Sequence, residues 1–156
     1  MVADRNGPWL DDDEQRMWRA YLDSTRLLFR TLDRQLVRDS GISFADYELL
    51  VILSEAPGRR LRMSEIAEAA TTTRSGVTRA VTRLVELGWV VRLECEDDRR
   101  GTLAELTDEG FRVLESASPG HVAAVRSTVF DQLDGDDVQR FTAAYQAIRD
   151  RMQGRD

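Results

Sequence analysis

The stretch Ser64–Leu106 reads SEIAEAATTTRSGVTRAVTRLVELGWVVRLECEDDRRGTLAEL. Its first part predicts a short helix over Glu65–Ala70, with Ser64 as the N-cap. Three threonines then interrupt the helical pattern. A second, longer helix is predicted to begin at Arg74, because Thr73 stands before it as a second N-cap residue.

The second half of the stretch predicts a β-hairpin. Gly88 lies just past the last residue of the helical pattern, where a glycine commonly ends a helix. Two strand-like runs follow, Trp89–Leu93 and Thr102–Leu106, with a charged loop between them. The order helix, turn, helix, strand, loop, strand is typical of a winged helix-turn-helix, a fold that reads DNA.

The longer helix has two unlike sides when residues are placed about 100° apart. The apolar side requires burial and comprises Val77, Ala80, Val81, Leu84, Val85 and Leu87. The polar side offers hydroxyls and arginines, which bond to phosphates and base edges, beside the partial positive charge of a helix N-terminus. A merely solvated helix face is the alternative. We predict recognition-helix contacts to DNA from Thr73, Arg74, Ser75, Thr78, Arg79 and Arg83.

The loop between the two strands carries adjacent arginines, Arg99 and Arg100, directly after Asp98. Arginines at the tip of a hairpin are able to enter a neighbouring minor groove. A carboxylate beside them is able to orient a guanidinium through a charge-assisted hydrogen bond. We therefore predict DNA contacts from all three residues, with an ordinary solvated turn as the alternative.

These motifs resemble the MarR family of bacterial transcription regulators. That family shows an Asp-x-Arg wing followed by Leu-Thr-x-x-Gly, which DRRG at 98–101 and LTDEG at 106–110 match in register. The helix-turn-helix is similar as well, although Thr71 stands where the family often has glycine. The resemblance extends from about Glu14 to Met152. It implies a homodimeric repressor of a pseudo-palindromic operator, with Arg100 as the minor-groove arginine.

Composition and charge are consistent with one domain or one closely packed unit. The chain has 156 residues, 42% of them hydrophobic, and a net charge of −6. Residues 59–101 nevertheless hold nine arginines against seven acidic residues, which favours a DNA-binding segment. No apolar run approaches membrane-spanning length and the acidic N-terminus does not resemble a signal peptide, so we expect a cytoplasmic protein without a membrane partner.

Helices on either side of this segment predict a dimerisation lobe. The first, Glu14 to about Arg38, carries a broad apolar stripe. After the wing, Thr107 is the predicted cap of a helix that Pro119 should kink or interrupt before it resumes to Leu133. The last helix, capped by Asp134, has a coiled-coil-like seam at steps of 3, 4, 3 and 4: Val138, Phe141, Tyr145, Ile148 and Met152.

The expected architecture is mainly α with a small β-wing: a winged helix-turn-helix plus a helical dimerisation lobe. We divide the chain into a flexible tail at 1–10, a dimerisation lobe at 11–40 and 107–153, and a DNA-binding lobe at 41–106. The predicted partners are double-stranded DNA and a second copy of the chain.

A small-molecule effector is a further hypothesis. Family members often bind small aromatic or phenolic anions near the junction of the two lobes, and such sites are apolar with a few polar groups. Ordinary core packing is the alternative for each candidate. The residues placed in this pocket are Trp18, Tyr21, Phe44, Tyr47 and His121.

Other functions find less support in the sequence. No catalytic constellation or phosphate-binding glycine motif is present, so we predict neither an enzyme nor a cofactor. The single cysteine, Cys95, lies in the wing and raises the alternative of a redox-responsive regulator, or else is a small apolar residue at a strand end. A winged helix used only for protein–protein interaction is the other alternative, which the basic, hydroxyl-rich helix face disfavours.

Overall fold

The computed structural model describes residues 8–70, 73–94 and 101–154. Two short 3-10 turns, Pro57–Arg59 and Phe130–Gln132, supplement the regular elements. In chain order those elements are α1 (Asp12–Ser40), α2 (Phe44–Glu55), β1 (Arg60–Arg62), α3 (Met63–Ala69), α4 (Arg74–Glu86), β2 (Val90–Glu94), β3 (Thr102–Leu106), α5 (Asp108–Thr128) and α6 (Gly135–Met152). The predicted fold class, mainly helical with a small β-wing, is confirmed. No helix in the described ranges is long and apolar enough to cross a membrane.

The three strands form one antiparallel sheet in the order β1-β3-β2. β2 pairs with β3 along its whole length, from Val90 opposite Leu106 to Glu94 opposite Thr102. The basic segment before α3 supplies β1, with Leu61 opposite Ala104. β2 is therefore an edge strand, held by a neighbouring strand on one side alone.

The core lies where α2, α3, α4 and the sheet meet, and the end of α1 and start of α5 close it. Leu36, Leu50, Leu53, Ile66 and Leu84 are fully buried. Each such side chain contributes about 1.5–3 kcal/mol through removal of apolar surface from water. The core thus includes residues from both predicted lobes, and the proposed boundaries between those lobes stay a prediction.

The apolar side of α4 faces this core as predicted, with Val77, Val81 and Leu84 buried. Leu87 was wrongly included and is 49% exposed. It is the C-cap residue, and the chain turns away at Gly88, whose φ is 75°. The amides of Gly88 and Trp89 donate back into the last helical turn, an arrangement that favours glycine at this left-handed position.

Local capping explains most helix boundaries. The predicted caps Thr73, Thr107 and Asp134 each accept a hydrogen bond from the backbone N–H three residues on, and Ser43 does the same at the start of α2. The Ser64 cap was wrong: α3 already begins at Met63, because β1 runs straight into it. There the carboxylate of Glu65 accepts the backbone N–H of Arg62 at 2.7 Å.

α5 departs from the prediction at both of its distinctive points. It passes Pro119 without interruption and ends at Thr128 rather than near Leu133. Proline inside a helix costs about 3 kcal/mol. Packing of this helix on α1 and α2 offsets that cost, since Leu114 and Ala117, in the turns before the proline, are buried in the core.

The LTDEG motif joins the base of the wing to α5. The hydroxyl of Thr107 accepts the Gly110 amide at 3.0 Å and donates to the carbonyl of Gly88 at 2.8 Å. A Cβ on Gly110 would come within 2.2 Å of the Trp89 carbonyl oxygen. Threonine and glycine at these positions therefore fix the hairpin against the start of α5.

Candidate nucleic-acid interface

The N-terminal half of α4 presents hydroxyls to solvent. Thr73, Ser75 and Thr78 are exposed, and the Thr73 and Ser75 hydroxyls lie 3.2 Å apart. The Thr73 oxygen also accepts the Gly76 amide at 3.1 Å, so it holds the helix end in place. Arg74 is the first residue of the helix. These groups surround a helix N-terminus, which favours an anionic partner such as phosphate.

Arg79 occupies the same exposed side of α4, one helical turn after Ser75. Within the part of the chain that the structure describes, it makes no hydrogen bond or ion pair. Its guanidinium therefore keeps all five donors for a ligand. A guanidinium in this condition is suited to bidentate contact with a guanine edge or a phosphate.

Arg83, one of the predicted DNA contacts, has an intramolecular partner, and its contact with DNA stays a prediction. Its Nε lies 3.1 and 3.2 Å from the two carboxylate oxygens of Asp46, and its Nη2 contacts the same carboxylate. The Asp46 side chain is 8% exposed, and its hydrogen bonds to the guanidinium raise the pKa of Arg83. The pair, called here the α2–α4 ion pair, holds α4 against the first turn of α2. Of these two arginines, Arg79 is the one whose guanidinium is available to a ligand.

A second link on this side of α4 was not predicted. Arg92 of β2 donates from Nη2 to the Thr82 hydroxyl at 2.6 Å and to the Thr78 carbonyl at 3.3 Å. The Thr82 hydroxyl in turn donates to the same carbonyl at 2.7 Å. The sequence signal was weak: Arg92 alternates with apolar neighbours on a strand that follows α4 at once.

The wing stem is well defined up to its last pair, Glu94 opposite Thr102. The predicted wing contacts Asp98, Arg99 and Arg100 lie outside the described residues, as does Cys95. Their predicted roles therefore stay predictions.

The five residues predicted to form one effector pocket fall into two separate clusters. Tyr47 lies 4.5 Å and Phe44 6.0 Å from His121, measured between ring centroids, whereas Trp18 stacks on Tyr21 at 5.8 Å. No ring contact joins the clusters among the described aromatic residues. The structure thus brings Phe44, Tyr47 and His121 together and keeps Trp18 and Tyr21 apart from them, and the effector pocket itself stays a prediction.

The cluster around His121 is the more enclosed of the two. Tyr47 is buried and its hydroxyl lies 3.1 Å from the Ser118 hydroxyl. The His121 Nδ1 is buried without a hydrogen-bond partner among the described residues, and burial lowers the pKa of this histidine. The imidazole is therefore held neutral at pH 7, amid aromatic rings.

The cluster containing Trp18 belongs to a wider apolar surface. The Tyr21 ring lies 6.0 Å from that of Tyr145 in α6, and Phe141 stacks on Tyr145 at 6.2 Å. Trp18, Phe141 and Tyr145 are each 46–48% exposed. Along α6 the same seam continues through Ile148 and Met152, both exposed. A surface this apolar is typical of a protein interface rather than of a solvated face.

Comparison with solved structures identifies the fold over almost the whole chain. Sco3205, a MarR family transcriptional regulator from Streptomyces coelicolor crystallised in complex with DNA, is 45% identical with a TM-score of 0.91, covering 96% of this chain and 94% of that one. AbsC, a MarR family transcriptional regulator from the same organism, is 38% identical with a TM-score of 0.89, covering 95% and 99%.

Sequence comparisons agree with this result. Residues 40–101 match the MarR family model. The HTH-type transcriptional repressor YetL from Bacillus subtilis is 30% identical over 94 residues, which are 60% of this chain and 56% of that protein. The match thus spans just over half the length of that curated relative. Together with the near-complete coverage of Sco3205 and AbsC, it shows that the chain belongs to the MarR family of transcriptional regulators.

Proposed function

We propose that the chain is a homodimeric DNA-binding transcription regulator, a repressor that recognises a pseudo-palindromic operator. The observation that carries this proposal is the exposed side of α4. It combines hydroxyls at a helix N-terminus with Arg79, which is exposed and, within the described residues, has no partner for its guanidinium. A helix side that served only solubility would not need these donors grouped around its N-terminal turns.

The proposed binding mode inserts α4 into the major groove. Ser75, Thr78 and Arg79 face the bases, and a two-fold axis places the second α4 in the next major groove, about 10 bp away. The complex of the relative Sco3205 with DNA supports DNA binding by this chain. The name of the relative YetL, a transcriptional repressor, supports the direction of regulation.

The wing completes the proposed DNA contact. Arg100 enters the adjacent minor groove, Arg99 stands beside it, and Asp98 orients one of the two guanidinium groups. Such an arginine senses groove width and electrostatic potential more than base identity. The wing would therefore add affinity on many sequences, whereas α4 would add selectivity.

The proposed dimer interface combines α1 and α6. Their exposed aromatic and aliphatic side chains form one surface, and no residue of α6 is buried in the isolated chain. A stable dimer of this kind buries on the order of 2,000 Å² or more, largely apolar. Two copies of the same surface, joined about a two-fold axis, would also give the symmetry that a pseudo-palindromic operator requires.

Release from DNA by a small aromatic or phenolic effector is the proposed regulation, with the protein acting in the cytoplasm. We assign such a ligand to the cluster of Phe44, Tyr47 and His121 rather than to the exposed Trp18 cluster, because it combines aromatic rings with a hydroxyl and an imidazole. A ligand that prefers an arrangement unable to bind DNA would release the operator by population shift.

Selection of genomic fragments by the purified protein tests the proposal. We expect enrichment of a sequence with two-fold symmetry and half-sites about 10 bp apart, bound more tightly at low salt. Enrichment of no sequence, with weak and salt-independent retention of all fragments, would contradict DNA binding. It would favour instead a winged helix used for protein–protein interaction.

A further inference from the structure

Resting on the proposed function, we propose that Arg92 is a positioning residue that clamps the wing to the recognition helix through the Thr82 hydroxyl. Three hydrogen bonds define the clamp. They join Arg92 Nη2 to the Thr82 hydroxyl at 2.6 Å, that hydroxyl to the Thr78 carbonyl at 2.7 Å, and Arg92 Nη2 to the same carbonyl at 3.3 Å.

The position of β2 explains why the wing needs such a link. β2 is an edge strand, so a neighbouring strand fixes it on the β3 side only. Its apolar anchor, Val90, is fully buried at the base of the hairpin, whereas Val91 and Arg92 are exposed. Beyond Val90 the strand therefore depends on polar contacts to hold its distance and angle to α4.

The clamp joins the two parts that would bind DNA together. Thr78 and Thr82 belong to the exposed polar side of α4, and Arg92 lies two residues before the end of β2, which leads into the loop of Arg99 and Arg100. Engagement of a major groove and the adjacent minor groove requires both parts to be correctly spaced at once. A pre-set spacing lowers the ordering cost of binding.

The bond does little for the stability of the fold. Arg92 is exposed, and hydrogen bonds to exposed charged side chains contribute little to unfolding free energy because water competes for both partners. A large effect on DNA binding with a small effect on unfolding would therefore distinguish positioning from general stabilisation. Arg92 is not assigned a contact with DNA in this proposal.

Thr82→Val tests the clamp without a change of charge, since it removes the nearer of the two acceptors of Arg92 and keeps the branched shape. We expect the dissociation constant for the selected operator to rise on the order of fivefold, with an unchanged salt slope and nearly unchanged urea unfolding. Arg92→Gln should weaken binding at least as much, and the double variant no more than Arg92→Gln alone, because both changes break the same link.

Two matched controls separate this effect from general ones. Thr128→Val removes a similar hydroxyl bond within a helix, from the Thr128 hydroxyl to the Ala124 carbonyl at 2.7 Å. Arg26→Gln removes an exposed arginine whose ion pair with Asp23 spans 3.7 Å in α1. Neither control should alter operator affinity by more than about twofold, in line with the small effects of surface substitutions.

Three results would overturn the proposal. Wild-type affinity in Thr82→Val, together with a salt slope lowered by about one unit in Arg92→Gln, would make Arg92 a phosphate contact. Unchanged affinity in both would leave only a surface hydrogen bond. A wild-type protein that binds no duplex would instead refute the proposed function, and the clamp with it, which distinguishes that failure from the other two.

Discussion

The DNA-reading part of the chain and the α1–α6 surface differ in how much of their apolar content the single chain buries. In the first, Leu50, Leu53, Ile66 and Leu84 are fully buried. In the second, Phe141, Tyr145 and Ile148 remain 46–47% exposed, and α6 buries no residue. Both regions follow similar hydrophobic patterns in sequence. One region thus buries its apolar side chains within the chain, whereas the other leaves them exposed, and our proposal covers them with a second copy.

Truncation of the core should give the largest effect on the fold. Leu84→Ala removes a fully buried side chain at the centre of α4, where the loss of contacts and the resulting cavity act together. We expect the free energy of unfolding in urea to fall by about 2–5 kcal/mol. A loss below about 1 kcal/mol would mean that this core is loosely packed, contrary to its near-zero exposure.

A charge in the α6 seam should dissociate the dimer rather than unfold the chain. Ile148→Glu places a carboxylate in the proposed interface, and we expect the dimer dissociation constant to rise on the order of a hundredfold. Light scattering at micromolar concentration should then fall from twice the chain mass of 17.8 kDa toward that mass itself.

The matched control for the seam is Gln139→Glu, which adds the same charge at an exposed position of α6 outside the seam. It should leave the dimer intact. A wild-type protein that scatters as a monomer yet binds its operator tightly would refute the role given to α1 and α6.

Loss of the α2–α4 ion pair should have an intermediate effect on stability. Asp46→Asn removes the charge that Arg83 contacts with two nitrogens, and we expect unfolding free energy to fall by about 1–2 kcal/mol, since the arginine end is half-exposed and rehydrates. Asp23→Asn breaks an exposed pair with Arg26 as control and should cost about 0.5 kcal/mol or less. Equal losses of unfolding free energy in the two variants would mean that the α2–α4 ion pair contributes no more than an ordinary surface pair.

The smallest effect concerns pH. Burial lowers the pKa of His121 below its unfolded value of about 6.5. As the pH falls, the unfolded chain therefore binds a proton at His121 at a higher pH than the native chain does. The stability from the neutral imidazole is complete above about pH 6.5 and decreases as pH falls toward the folded pKa. His121→Phe should therefore lose less stability than wild type between pH 7.5 and 5.5. Parallel urea-midpoint profiles would contradict a depressed pKa.

The sequence predicted what depends on neighbouring residues. The two sides of α4 follow from helical periodicity, and the caps Thr73, Thr107 and Asp134 follow from bonds to the third residue on. The two strands of the wing followed from its two strand-like runs, the first within one residue and the second at both ends. Ser64 failed as a cap because the adjacent β1 delivers the chain directly into α3, which a local pattern does not reveal.

Contacts between distant residues could not be predicted in this way. Arg83 meets Asp46 across 37 residues, and Tyr47 meets Ser118 across 71. Polar residues on a helix surface look alike in sequence whether they face DNA or a neighbouring helix. The aromatic residues gave the same difficulty: the family resemblance grouped Trp18 with Tyr47 near the junction of the lobes, while the fold put them in separate clusters.

The central claim is that the exposed side of α4 reads base sequence, and Arg79→Ala tests it most directly. Affinity for the selected operator and for a scrambled duplex of equal length should be measured at the same salt concentration, with Arg26→Gln as the charge-matched control. We expect a loss of about 1–3 kcal/mol on the operator and little on the scrambled duplex, since a bidentate base contact discriminates by that amount. Equal losses on the two duplexes, or no loss on either, would contradict the claim.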